Sequence, residues 1–215
     1  MGLFEWLIDE EPGPLKKMAF IIKTGGDKGA YGEFLTDYMF NSYRFKGYYK
    51  TLKNIYIPYK SNTSEIDILL IHEKGLFVIE SKNYSGWIFG SENQYQWTQA
   101  INKNNKNKFY NPIKQNKTHI KALSEFLNIE EKTIKSFIVF SERCELKKVP
   151  EDTEYYTILK RNNLIDVMKK QMEKIGIVYT HQQIDDIETK LKGLTNVSKE
   201  IKDKHVDSIN EKYKK

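Results

Sequence analysis

Cysteine is almost absent from this chain. Cys144 is the single one among 215 residues, so no intrachain disulfide can form and a disulfide framework is excluded. A reducing, cytoplasmic setting is the expectation that follows. Long apolar runs are also lacking: the longest, Ile68 to Ile71 and Gly75 to Ile79, fall far short of the roughly 20 residues that span a bilayer. No transmembrane segment is predicted. The residues Met1 to Ile8 carry no positive n-region and lead into Asp9-Glu10-Glu11, so a secretory signal is not expected either. With 12 glycines and 5 prolines the chain is too poor in both for a collagen-like or linker-like sequence.

Several familiar site patterns are missing. Gly25 to Gly32 fits neither GxxxxGK[ST] nor GxGxxG, which argues against a nucleotide site there. His72, His119, His181 and His205 show no metal-ligand spacing with one another or with Cys144, which speaks against zinc. No GxSxG elbow occurs, so hydrolases built on a serine nucleophile drop out.

What remains is an ordinary globular composition, 39% hydrophobic and 30% charged. A chain of this size buries roughly 70% of its unfolded surface and needs no staple. The net charge of +6 is uneven. Asn93 to Ser124 holds no acidic residue, yet carries Lys103, Lys106, Lys108, Lys114, Lys117 and Lys121. Such a stretch is either a solvated Asn/Lys-rich loop or a phosphate-tracking patch helped by Tyr95, Trp97, Phe109 and Tyr110.

Hydrophobic spacing gives the organisation. Residues 1–24, broken by Pro12-Gly13-Pro14, read as a lead-in; 25–192 as the main domain; and 193–215 as a polar, helical tail. Tyr31, Phe34, Leu35, Tyr38 and Met39 recur at helical spacing and predict a helix to about Phe45. Leu52 to Tyr59, Glu65 to His72 and Gly75 to Ser81 predict consecutive strands, with shorter ones at Trp87 to Gly90 and Tyr95 to Thr98. Pro112 opens a helix with an apolar face of Ile113, Ile120, Leu123 and Phe126. Strands at Ile134 to Phe140 and Tyr155 to Leu159 precede helices near 161–174, 180–192 and 197–212. The order predicts an α/β fold.

The chemistry-bearing stretch is Ser64 to Asn83. Residues two apart on a strand share a face, so Glu80 and Lys82 point the same way, as do Glu65 and Asp67. A hairpin loop of two or four residues places 71 against 76 and Asp67 against Glu80, about 5 Å apart. A three-residue loop slips the register and separates them. Two carboxylates that close call for a cation between them or a proton on one. Oxygen-only ligation favours Mg²⁺ or Mn²⁺, and Lys82 beside them can orient a water for attack on a phosphodiester. The Glu-x-Lys tripeptide alone is uninformative, because it recurs at Glu130, Glu145, Glu188 and Glu200; the setting at the end of a paired apolar strand singles out Glu80.

With these residues the sequence resembles the nuclease-related domain (NERD) family, a branch of the PD-(D/E)XK nuclease superfamily. The matching pieces are Gly29 to Glu33, Glu65-Ile66-Asp67, Gly75 to Gly86, Trp97, Asn111 to Asn116 and Val139-Phe140-Ser141, within about 27–192. The resemblance implies an α/β, restriction-endonuclease-like core with a central mixed sheet flanked by helices. It implies Asp67 and Glu80 as metal ligands, Lys82 as the catalytic lysine, Glu33 as an acidic residue at the edge of the metal site, and Gln115 as a polar residue that a following helix points at the site. Ser81 stands where a β-branched residue is frequent. The expected function is a Mg²⁺- or Mn²⁺-dependent nuclease acting on DNA, with RNA left open, and with Lys103, Lys106, Lys108, Lys114 and Lys117 holding the phosphate backbone. The alternative is a nucleic-acid-binding module that works only with a partner such as a helicase or other ATPase. The apolar residues Leu3, Phe4, Trp6, Leu7 and Ile8 are a candidate docking segment, with packing on the chain's own core as the simpler use.

Overall fold

The computed structural model describes residues 28–213, so the lead-in, its apolar residues and the start of the first expected helix lie outside the described part. Two sheets carry the fold. The larger is ordered β1 (Tyr49–Tyr59), β2 (Asn62–His72), β3 (Gly75–Lys82), β7 (Ile134–Phe140), β9 (Tyr156–Lys160). β1, β2 and β3 form an antiparallel meander, whereas β3, β7 and β9 run parallel, which makes this a mixed sheet. The smaller is ordered β6 (Lys106–Tyr110), β5 (Gln96–Ala100), β4 (Gly86–Phe89), β8 (Cys144–Lys148). It is built largely from the segment that joins β3 to the next helix.

The parallel strands are buried on both faces and read as near-continuous apolar runs. On one face Leu69, Ile71, Leu76 and Val78 pack under α2 (Pro112–Leu127) and α4 (His181–Lys192). On the other, Ile68, Leu70, Phe77 and Ile79 pack with Phe40 of α1 (Lys28–Ser42) and Leu164 and Met168 of α3 (Leu164–Glu173). The expected central mixed sheet flanked by helices is therefore observed. The tail helix, α5, runs Lys199–Tyr213 and docks through His205 onto Thr63.

Four details depart from the sequence reading. Lys106–Tyr110, taken as part of an open loop, is strand β6, and Cys144–Lys148 forms β8. Both are short and polar and gain their order from pairing with β5 and β4, which local pattern does not reveal. Phe126, assigned to the apolar face of α2, is 40% exposed. The stripe Tyr31, Phe34, Leu35, Tyr38 and Met39 is only half-buried; α1 meets the sheet through Gly32, Thr36 and Phe40. The approach there is close: a Cβ on Gly32 would lie 2.5 Å from that of Asn83. Thr36 Oγ1 lies 3.1 Å from Ser81 Oγ and completes the contact.

Candidate active site

The β2–β3 turn fixes the site. His72 pairs with Gly75 across the two-residue connection Glu73-Lys74, and Ile68 pairs with Ile79. The next step along the ladder brings Asp67 beside Glu80, as the short-loop register predicts. On β3, alternation places Glu80 and Lys82 on the face covered by α2, and Asp67 reaches the same cleft while accepting from the Ser81 backbone N–H. Ser81 turns the other way, toward Thr36.

Helix α2 is aimed by its first residues. The Asn111 side chain caps the helix by accepting from the Ile113 backbone N–H at 2.9 Å, and its amide donates to the carbonyls of Ser91, Glu92 and Gln94. Pro112 follows in the first turn, where its missing N–H costs nothing. Asn116, fully buried, donates to Ser136 Oγ at 2.8 Å and to the Val78 carbonyl at 3.2 Å, tying the helix to β3 and β7. These anchors point Gln115 and His119, one turn apart, at the end of β3.

The polar contacts form a connected set. Lys82 Nζ lies 2.6 Å from Glu80 Oε1 and donates to Gln115 Oε1 at 2.9 Å. Of the three ammonium protons one remains for a water or phosphate oxygen. His119 Nε2 stands 3.1 Å from Glu80 Oε2, but the two are not aligned for a hydrogen bond, so both atoms are buried without one. The other ring nitrogen of His119 lies 2.6 Å from Ser64 Oγ. Asp67 Oδ2 accepts from the Ser81 backbone N–H at 2.8 Å.

The two carboxylates differ electrostatically. Burial, then the charges of Glu80 and Glu33, push the Asp67 carboxyl well above its ordinary value, against the opposing pull of Lys82. Burial alone would raise Glu80 as well, but Lys82 and His119 outweigh it and hold Glu80 below the usual range. Burial would lower Lys82, yet Glu80 and Asp67 prevail and keep it firmly protonated. An acid destabilised by two neighbouring acids, beside an orphaned buried carboxylate oxygen, suits a divalent cation. Among the described residues no three His, Cys, Asp or Glu side chains converge as a ready-made metal cage.

The residues open onto a cleft of about 490 Å³, lined among others by Glu33, Asp67, Glu80, Lys82, Tyr84 and Arg143. Gln115 lines it too, so all five candidate catalytic residues share one cavity. The five candidate backbone lysines do not. Lys103, Lys106 and Lys108 lie on the far face of the smaller sheet beside Trp87, while Lys117 borders a separate groove with Glu92 and Glu131. Lys114 sits half-buried on α2 next to Gln115. Of the aromatics read with them, Trp97 is fully buried against Phe140 and offers no face to a base.

Two residues absent from the sequence-based expectations belong to the site, Arg143 at the cleft rim and His119 buried behind Glu80. Arg143 donates to the backbone carbonyl and side-chain oxygen of Asn83, at 3.1 and 2.9 Å, and brings a cation to the rim from just beyond β7. His119 was judged only for zinc spacing; its signal was the four-residue step from Gln115, which puts both on one helix face.

Comparisons with known proteins bear on this arrangement. The family described as "Nuclease-related domain" (NERD) matches residues 28–141, a span that runs from α1 to the end of β7 and includes Asp67, Glu80, Lys82 and Gln115. An uncharacterized protein of Bacillus anthracis is 34% identical over 190 residues, which cover 87% of this chain and 86% of that protein. No solved structure matches. The family match, which covers more than half of the chain, carries the assignment: the chain belongs to the nuclease-related domain family of the PD-(D/E)XK superfamily.

Proposed function

We propose that the protein is a divalent-metal-dependent nuclease that hydrolyses phosphodiester bonds of DNA. The observation that carries this reading is the close approach of Asp67 to Glu80 at the end of an apolar hairpin, with Lys82 paired to Glu80 and an open cleft in front. Asp67 and Glu80, with Glu33 at the edge, would hold Mg²⁺ or Mn²⁺. The cation, when bound, polarises a phosphoryl oxygen and lowers the pKa of a coordinated water.

The chain's own groups have distinct tasks. Glu80 and Asp67 favour the charged form of Lys82, which suits it to act as a donor. It donates its remaining N–H to the attacking water or to a phosphate oxygen and offsets the charge that grows on phosphorus oxygens. Gln115 fixes the ammonium's direction. In the reaction the water oxygen forms a bond to phosphorus as the P–O bond opposite it breaks, and the proton that the water gives up to solvent is matched by one that the leaving oxygen takes from solvent. Arg143 at the rim is placed to meet a flanking phosphate.

Cleavage of circular and linear DNA by the wild type and by Lys82→Ala, in Mg²⁺, Mn²⁺ and EDTA, tests the reading. Metal-dependent cutting that falls by about a hundredfold or more in Lys82→Ala is expected, and cutting of the circle would show endonuclease action. Wild-type protein that binds DNA and cuts in neither metal would overturn it in favour of a module that acts only with a partner such as a helicase.

A further inference from the structure

The smaller sheet has two chemically different faces. Ile88 and Trp97 point inward and are fully buried, and Gln99 lines the catalytic cleft. The opposite face is built by the ladder in rows. Trp87 of β4 stands against Ala100 of β5, which stands against Lys106 of β6; Phe89 stands against Thr98, which stands against Lys108. Each row thus reads ring, small residue, lysine. Trp87 is 43% exposed, and Lys103, in the loop between β5 and β6, extends the lysine edge. On the other side Lys147 places its ammonium 5.7 Å from the centre of the Trp87 ring. The acid on this face, Glu145, is paired with Lys147 at 2.6 Å.

We infer that this outer face is a second nucleic-acid site, a track for an unpaired polynucleotide segment whose bases stack on Trp87 and Phe89 while its phosphates follow Lys103, Lys106 and Lys108. The inference deepens the nuclease reading and rests on it for the class of substrate. An exposed ring, Trp87, beside a half-buried one, Phe89, with lysines on either side is what sequence-tolerant single-strand binding requires, because every base has a π-face. Duplex bases already cover one another's faces and offer a ring nothing to stack on. The two ring positions, two residues apart on one strand, are about 6.6 Å apart, nearly twice the ~3.4 Å base step of a duplex strand. An extended, unstacked strand fits that spacing. The site also borders the catalytic cleft. Ile101 lines the cleft and Lys103 the outer face, so a strand leaving the scissile position crosses a single hairpin to reach the lysines.

Binding of a labelled oligo(dT) of about 20 nucleotides, and of a duplex of like length, to the full chain in EDTA tests this without cleavage. Trp87→Ala weakens oligo(dT) binding by about tenfold or more, while duplex affinity stays within about twofold, and Trp87→Phe restores most of the loss. The double change Lys106→Ala, Lys108→Ala lowers the log–log salt slope by about 1.4, near 0.7 for each phosphate contact on a single strand. Truncating Trp87 opens no core, and Phe89→Ala serves as an independent probe of the same stack. Unchanged oligo(dT) binding in Trp87→Ala, an equal loss on duplex, or displacement of oligo(dT) by poly-glutamate as effective as by unlabelled oligo(dT) would each overturn the track, the last in favour of an acidic protein partner. The two readings fail separately. A wild type that binds through Trp87 but never cuts refutes only the nuclease, and one that cuts through Lys82 but is indifferent to Trp87 refutes only the track.

Discussion

The two faces of the β2–β3 hairpin share one apolar alternation and end differently. Toward α1 and α3, Ile68, Leu70, Phe77 and Ile79 are at most 1% exposed, and the row ends on a neutral hydroxyl, Ser81, held by Thr36. Toward α2, Leu69, Ile71, Leu76 and Val78 are equally buried, but the row continues into Glu80 and Lys82, with Asp67 beside them and Glu80 still only 2% exposed. The first face gains free energy for every methylene it hides. The second desolvates an ion pair and a second carboxylate, which at best breaks even against apolar residues of the same shape. Stability alone would favour apolar residues at that end; what the charged end supplies is a concentrated negative potential beside a cation that can donate hydrogen bonds.

The contrast can be broken most sharply on the apolar side. Phe77→Ala removes a fully buried ring that lies 6.1 Å from Phe137 and is expected to cost about 3–5 kcal/mol in urea unfolding. Because Phe77 faces away from the carboxylates, the metal titration of the folded fraction should keep its midpoint. A smaller effect of a different kind is expected at His119, which stands behind Glu80 and against Ser64. His119→Ala should weaken Mg²⁺ or Mn²⁺ binding by about 10- to 100-fold, the usual cost of losing a group that orients a ligand. His119→Gln, whose amide reaches toward the same carboxylate oxygen, should recover part of it. Equal metal affinity in wild type and His119→Ala would show that Glu80 is positioned by Lys82 alone.

Much of this was legible in the sequence because it depends on period and register. The two-residue step joined Glu80 to Lys82, and the short connection at Glu73-Lys74 set the register, Ile71 against Leu76, that brings Asp67 near Glu80. Helix α2 was visible from Pro112 and the apolar spacing behind it. What was hidden depends on neighbours distant in sequence. β6 and β8 are polar segments ordered by their partners, and α1 docks through Gly32, Thr36 and Phe40 rather than through its most apolar stripe. The basic stretch was visible as composition, yet its division between a strand face and a helix groove comes from the second sheet, of which only β4 and β5 showed in the local pattern. Arg143 reaches the cleft across 60 positions of chain, from beside β8 to Asn83.

The finest test separates the two carboxylates by sign. Burial first, then Glu80 and Glu33, raise the Asp67 carboxyl, so the fold prefers it protonated. Its contribution is fully present below the unfolded value of about 3.9 and is lost as pH rises through the raised value. Glu80, whose burial is outweighed by Lys82 and His119, has the opposite sign. It stabilises above an unfolded value of about 4.3, and that contribution is lost as pH falls through the depressed one. In EDTA at pH 7, Asp67→Asn should therefore melt higher than wild type by about 2–4 °C, the shift that ~1 kcal/mol gives in a chain of this size. The gain should shrink as pH approaches 4, where the wild-type carboxyl is itself protonated. Glu80→Gln should melt lower at pH 7 and converge on wild type from below in acid. If Asp67→Asn also melts lower at pH 7, the bond from the Ser81 N–H and the pull of Lys82 outweigh the repulsion, and the hairpin's charged end is a stabilising device after all.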